Sequence, residues 1–222
     1  MDSSSNSAQH CPRLYDIVAV TFVSLLLLSN VTATKLIELD VGLTHLIFDG
    51  GAILFPVTYV IGDVLAEVYG FARARRVILL GFVFSIGASL IFWIVGLLPP
   101  ASDYANQEAF VAVLGFVPRI VVASVFGYLA GQLLNSWVLV AIKRKWGRRH
   151  LWARLIGSTL VGEFADTLLF CSIAFYGVIT GGEFFNYLVV GYVYKVLVEV
   201  ILLPVTYPTI AWVKKIEANH VR

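Results

Sequence analysis

The sequence predicts an all-α membrane protein: six transmembrane helices, with a short hairpin or re-entrant segment between helices 1 and 2. Three observations carry that expectation. Of the 222 residues, 59% are hydrophobic and only 14% charged, against about 25% charged in soluble domains. The mean hydropathy is +0.86, and the apolar residues fall in runs long enough to cross a bilayer. Basic residues gather in alternate loops, the pattern that marks cytoplasmic segments.

Taken in order, residues 1–12 are Ser-rich and polar and read as a disordered cytoplasmic tail. The first span runs from Leu14 to about Ala33. Val31-Thr32-Ala33 resembles a peptidase site, so a cleavable signal peptide competes for this segment, but Asp16 and Asn30 fit a retained helix better. Residues 36–51, with Gly42, Gly50 and Gly51, are too short for a span and suit a hairpin or re-entrant turn. The second span covers about Ile53 to Tyr69, with Pro56 in a tolerated first-turn position. The third, Val77 to Leu98, has no charge and reads as lipid-facing scaffold. Pro99-Pro100 ends it. A fourth span covers about Val111 to Ile142, a fifth Trp152 to Ile179, and a sixth Glu183 to Val213 with kinks expected near Pro204 and Pro208. The six-helix transmembrane domain is thus expected over 13–215, followed by a cytoplasmic tail over 216–222.

Charge supplies the orientation. Of 16 Lys and Arg residues, 13 lie at the N-terminus, in the 70s loop, in or beside the 140s loop, or after Trp212. The alternate loops hold acids only: Glu38, Asp40, Asp49, Asp103, Glu108 and Glu183. Six spans put every basic loop on one side, so both termini are expected in the cytoplasm.

Lys35, Arg119 and Lys195 break that pattern, and acids accompany them inside the spans. Lys35 can snorkel to the headgroups. At 1.5 Å per residue, Asp166 and Lys195 both come near mid-membrane, Arg119 nearer the outer face, and Asp63, Glu67, Gln132 and Asn135 nearer the inner one. Asp63–Glu67 and Lys195–Glu199 are four residues apart, while Gln132–Asn135 and Glu163–Asp166 are three apart. Each pair forms a polar stripe on an apolar helix, and four facing stripes make a lined cavity. Its five carboxylates outnumber two bases, so either some carboxyls are protonated or the cavity accepts a cation or a donor-rich polar ligand. Plainer readings stand beside this one. Lys195–Asp166 can be a helix-clamping ion pair, Glu67 an interfacial acid neutralised by Arg73 or Arg76, and Gln132 and Asn135 interhelical hydrogen-bond glue. Phe55, Tyr59, Phe126, Tyr128, Tyr192 and Tyr194 can be packing or interface aromatics as readily as a stacking platform.

Composition also excludes. The basic residues form no nucleic-acid footprint. Cys11 and Cys171 are too few for a disulfide or zinc framework, and the four histidines lie in tails or loops without ligand spacing, so no metal or other cofactor is expected. No nucleotide-binding loop is present, and no Ser-His or metal pair sits at membrane depth, which argues against an enzyme. A cation-conducting protein remains a competing class because of the acid excess.

The chain resembles the queuosine precursor transporters, six-span proteins also grouped as vitamin-uptake-like. The resemblance rests on SNVTATK (29–35), FPVTYVIGDVLAEVYGFARAR (55–75), AS…GQLLN (123–135), the Asp-Thr of GEFADT (162–167) and YVYKVLVE (192–199). Family members often carry Asp where this chain has Asn135. The resemblance implies a bacterial inner-membrane importer of 7-deazaguanine bases, such as the 7-cyano and 7-aminomethyl compounds or queuine, working by alternating access. A substrate-capture subunit driven by a separate ATP-using partner is the alternative. On that reading Asp166 and Glu67 take ring N–H groups, Gln132, Lys195 and Arg119 meet acceptors or gate, and Asn30 and Tyr59 assist. Small carriers often pair, so a homodimer is the expected assembly.

Overall fold

The computed structural model describes residues 12–42, 44–146 and 151–219. Residues 1–11 of the expected N-terminal tail, the end of the basic 140s loop and residues 220–222 lie outside the described residues. The elements are α1 (Tyr15–Thr32), β1 (Leu36–Val41), β2 (Thr44–Asp49), a 3₁₀ turn (Gly50–Ile53), α2 (Phe55–Tyr69), α3 (Phe71–Leu97), α4 (Gln107–Leu114), α5 (Val117–Trp146), α6 (Leu151–Phe175) and α7 (Gly182–Asn219).

Among the described residues, five helical stretches are long and apolar enough to cross a membrane: Tyr15–Thr32, Phe71–Leu97, Gln107–Ile142, Ile156–Phe175 and Gly182–Ala218. The sixth expected span corresponds to α2, whose 15 residues fall short of that length. The segment ahead of it is an antiparallel hairpin in which Leu36 pairs with Asp49 and Val41 with Thr44. Gly70, at φ 85°, lets α2 end and α3 begin with no linker, a backbone conformation open essentially to glycine alone.

The fourth expected span is divided. α4 stops at Leu114 and α5 starts at Val117, because Pro118 has no N–H for the Leu114 carbonyl and its ring would clash there. α7 continues through Pro204 and Pro208 as one helix and runs on to Asn219, beyond the expected end of the last span. Its Glu217 carboxylate accepts hydrogen bonds from the backbone N–H of Arg13 (2.8 Å) and Leu14 (2.9 Å) and from the Tyr69 hydroxyl (3.0 Å). Those backbone donors sit at the start of α1, where helices leave N–H groups unsatisfied. The beginning of α1 and the end of α7 therefore meet on one side of the molecule.

Packing is inside-out relative to a soluble bundle. On α3 the buried face carries Gly81, Ser85 and Ser89, while Val83, Phe84, Leu90 and Ile91 are exposed. Small buried residues let helices approach, and the apolar outer face suits lipid. α5 and α6 make the most extensive contact. Two apolar clusters close the bundle at opposite ends. Ile120, Cys171, Phe175 and Tyr187 gather near the hairpin, and Phe22, Leu65, Val77 and Val213 near the termini. The space between them is mainly apolar but carries polar side chains, among them Asn30, Asp49, Asp166 and Lys195.

Candidate functional site

A cavity of about 260 Å³ lies between these clusters, lined by α1, the end of β2 and its 3₁₀ turn, α2, α3, α5, α6 and α7. Each helix contributes residues three, four or seven apart, which share one face. α6 supplies Asp166, Thr167, Phe170 and Cys171, and α7 supplies Tyr187, Gly191, Tyr194 and Lys195.

Asp166 reaches the cavity because α5 and α6 touch backbone to backbone. A Cβ added at Gly127 would stand 2.8 Å from Asp166 Oδ1, and one at Gly131 would stand 3.0 Å from the Gly162 carbonyl oxygen. Spacing of four puts Gly127 and Gly131 on one face of α5, the small-residue seam that permits such contact. The other carboxylate oxygen of Asp166 pairs with the Lys195 ammonium. Lys195 also stands over the Phe55 ring, 5.8 Å from its centroid. Both charged groups are mostly removed from solvent, at 21% and 24% side-chain exposure, so each supplies the countercharge that the other's desolvation requires.

The remaining wall is built from amides, hydroxyls and rings. The buried Asn30 amide donates to Ser85 Oγ (3.1 Å), and its carbonyl accepts from Ser124 Oγ (3.0 Å), which links α1 to α3 and α5. Asp49 Oδ1 accepts from the Gly51 N–H (2.8 Å) and Oδ2 from the Tyr187 hydroxyl (2.7 Å). The Tyr194 hydroxyl donates to the Ala52 carbonyl at 2.9 Å. Thr167 is only 2% exposed, and its Oγ1 has no hydrogen-bond partner. A buried hydroxyl left unpaired on a cavity wall is a vacant position for a ligand polar atom. Phe55, Phe82, Tyr128 and Tyr194 add aromatic surface.

Of the ten residues singled out from the sequence, Asn30, Asp166 and Lys195 line this cavity. The structure puts the others elsewhere. Arg119 donates from Nε to the Ile173 carbonyl (2.7 Å) and from its terminal nitrogen to the Tyr176 carbonyl, so it caps the C-terminal end of α6. A cation there satisfies orphan carbonyls and complements the helix dipole. Glu67 is exposed, and its closest ion-pair partner is Lys214 at 3.8 Å rather than Arg73 or Arg76. Gln132 is exposed on the outer face of α5. Asn135 packs against Gly162, with its Oδ1 buried and unpartnered. Tyr59, Asp63 and Glu163 stand off the cavity in a row with Glu199, with Tyr59 facing the Glu199 carboxylate. Three of the proposed aromatics, Phe55, Tyr128 and Tyr194, do line the cavity.

Sequence reasoning missed Asp49 and Tyr187 as site residues. Asp49 counted as one of several outer-loop acids, yet its position before Gly50-Gly51 was a legible signal: an N-cap residue ahead of a tight turn has its side chain folded back on the chain. Tyr187 stands eight residues before Lys195, two turns along the same face of α7.

In sequence the chain is similar to known membrane transporters. Residues 49–209 match the family model described as "Putative vitamin uptake transporter". A Bacillus subtilis protein named "Probable queuosine precursor transporter" is 33% identical over 180 residues, covering 81% of this chain and 77% of the relative. The "Queuosine precursor transporter" of Escherichia coli is 29% identical over 187 residues, covering 82% of each. A Haemophilus influenzae protein, again named "Probable queuosine precursor transporter", is 30% identical over 126 residues, covering 57% of this chain and 51% of that one. No solved structure matches the chain. The matched span runs from Asp49 at the cavity wall through every cavity-lining residue of α2, α3, α5, α6 and α7, and on this evidence the chain belongs to the vitamin-uptake-transporter family, whose members are membrane transporters and not enzymes.

Proposed function

We propose that the protein carries queuosine precursors, 7-deazaguanine bases, across the bacterial inner membrane by alternating access around the cavity. The observation that carries this reading is the cavity itself: a half-open space of about 260 Å³ holding the Lys195–Asp166 pair, the Asn30 amide and the unpaired Thr167 hydroxyl between aromatic walls. That volume lies just under the range of about 300–1,000 Å³ for drug-sized ligands, which suits a bicyclic base better than a nucleotide. A guanine-like edge offers adjacent N–H donors to a carboxylate and a carbonyl to an ammonium or amide. Asp166, Lys195 and Asn30 are the assigned base-reading groups.

The chain is proposed to cross six times within residues 13–215, with α2 as the short sixth crossing. Two observations support this. The start of α1 and the end of α7 meet at Glu217, which favours an even number of crossings. Six crossings would put the basic segments on that same side, which supports reading it as the cytoplasmic one.

The test is uptake of radiolabelled 7-aminomethyl- and 7-cyano-7-deazaguanine into vesicles reconstituted with the purified chain alone. Wild type should accumulate base. Asp166→Asn and Lys195→Ala, inserted to equal amounts, should lose most of that uptake. Normal uptake by both variants would refute the site. Binding without uptake would instead favour a capture subunit that needs an energising partner.

A further inference from the structure

We propose that Asp49 is the charge-reading residue of the cavity, selecting a flat heterocycle that bears a primary ammonium over the same ring with a neutral substituent. This rests on the reading of the cavity as a deazaguanine site and deepens it.

The argument begins with a charge count. The cavity holds two carboxylates, Asp49 and Asp166, and one base, Lys195. Lys195 is committed to Asp166. Among the described residues no basic side chain forms an ion pair with Asp49. Lys195 acts on Asp49 only through space, without an ion pair, and the other titratable groups facing it, Tyr187 and Tyr194 on α7 and Cys171 on α6, bring no positive charge. Its two oxygens are instead engaged by neutral donors, the Gly51 N–H at 2.8 Å and the Tyr187 hydroxyl at 2.7 Å.

Two neutral hydrogen bonds orient a carboxylate without cancelling its charge. A desolvated charge with no counterion is costly, and a ligand that supplies the counterion gains what it relieves. A neutral ligand of the same shape gains nothing from Asp49. The residue therefore adds little to recognition of the ring and much to recognition of the substituent's charge. Its placement fits that division of work. Asp166 and Lys195 rise from two helices on one wall, whereas Asp49 enters from the hairpin and its 3₁₀ turn, so the ring and its substituent are read by different elements.

Asp49 also caps the 3₁₀ turn and anchors it to α7 through Tyr187, and that structural role could by itself make substitutions harmful. Two variants separate the roles. Asp49→Asn removes the charge while keeping one carbonyl acceptor for the turn. Tyr187→Phe breaks the anchor while keeping the charge. The measurement is the dissociation constant of the 7-aminomethyl and the 7-cyano base for each detergent-solubilised protein. Wild type should prefer the cationic base. Asp49→Asn should abolish that preference by weakening the cationic base about tenfold or more, with the nitrile changed only a few-fold. Tyr187→Phe should weaken both bases alike and keep their ratio. The inference is overturned if wild type shows no preference, if Asp49→Asn weakens both bases equally, or if Asp49→Asn leaves the ratio untouched. Wild type that binds neither base removes the deazaguanine reading, and this inference with it.

Discussion

Replacing Gly127 with Ala adds one methyl group at the point where α5 touches Asp166. The new Cβ would stand 2.8 Å from Asp166 Oδ1 and 2.9 Å from the Asp166 carbonyl oxygen, where ordinary contact begins at 3.4 Å. The helices must part by about 0.6 Å, or the carboxylate must turn away from Lys195. Backbone cannot yield as a flexible side-chain tip can, so overpacking of this kind costs about 1–3 kcal/mol. For a chain of this length each kcal/mol corresponds to roughly 2–4 °C in Tm, taking soluble proteins as the guide. Gly127→Ala should therefore lower the melting temperature in detergent by several degrees and cut base uptake sharply at equal membrane abundance. Gly87 provides the control. It lies in α3, and a Cβ there meets nothing within 4 Å, so Gly87→Ala should leave both readings at wild-type values. Wild-type Tm and uptake in Gly127→Ala would refute the claim that this glycine seam sets the position of Asp166. Equal losses in both alanine variants would refute it as well, because generic helix effects would then account for the result.

Other expectations follow from the same contacts. Lys195→Met and Asp166→Leu should each destabilise the protein by about 3–5 kcal/mol by stranding a charge, while the double variant should recover much of that loss; a thermal-denaturation cycle in detergent reads the coupling, and additive losses would contradict the pair. Glu67→Ala and Gln132→Ala should take up base normally, since the first removes an exposed ion pair worth at most about 1 kcal/mol and the second an exposed side chain. Arg119→Ala should lower Tm by unsatisfying the end of α6 yet leave base affinity in the folded fraction unchanged. Burial raises the Asp49 carboxyl above the ordinary carboxylate range, so without a cationic ligand its ionised form costs stability that the protonated form does not. The stability of the protonated form is complete below the ordinary range and is lost as pH rises through the raised value, so wild type should lose more Tm from acid to neutral pH than Asp49→Asn does.

Much of the fold was legible because membrane helices declare themselves by length and apolarity. Both ends of α1 and the C-terminal end of α3 fall within one residue of expectation, although α3 starts at Phe71 rather than Val77, and the hairpin appears where the apolar run was too short to span. What composition could not reveal was backbone geometry. The gap between α4 and α5 follows from Pro118, but only once residue 114 is seen as the carbonyl its ring excludes. The capping role of Arg119 depends on where α6 stops, a long-range fact carried by no local spacing. Glu217 is similar. As a C-terminal acid it looked unremarkable, and its importance comes from two backbone N–H groups roughly two hundred residues away in sequence.

The candidate site was legible only in part for a reason that lies in helix geometry. A stripe of residues four apart shares a face but advances about 6 Å along the axis, which is enough to leave one compartment and enter the next. Lys195 and Glu199 illustrate this on α7: Lys195 pairs with Asp166 at the cavity, whereas Glu199 faces Tyr59 one turn nearer the termini. Glu163 and Asp166 split in the same way on α6. Three of the four stripes divide between the lined cavity and, one turn away, a row of acids with Tyr59, while Gln132 and Asn135 join neither. The row explains the acid excess that composition had assigned to the ligand site. Once Glu163, Glu199, Asp63 and Glu67 are set apart, the cavity itself holds two carboxylates and one ammonium, with Lys195 paired to Asp166 and Asp49 held by the Gly51 N–H and the Tyr187 hydroxyl.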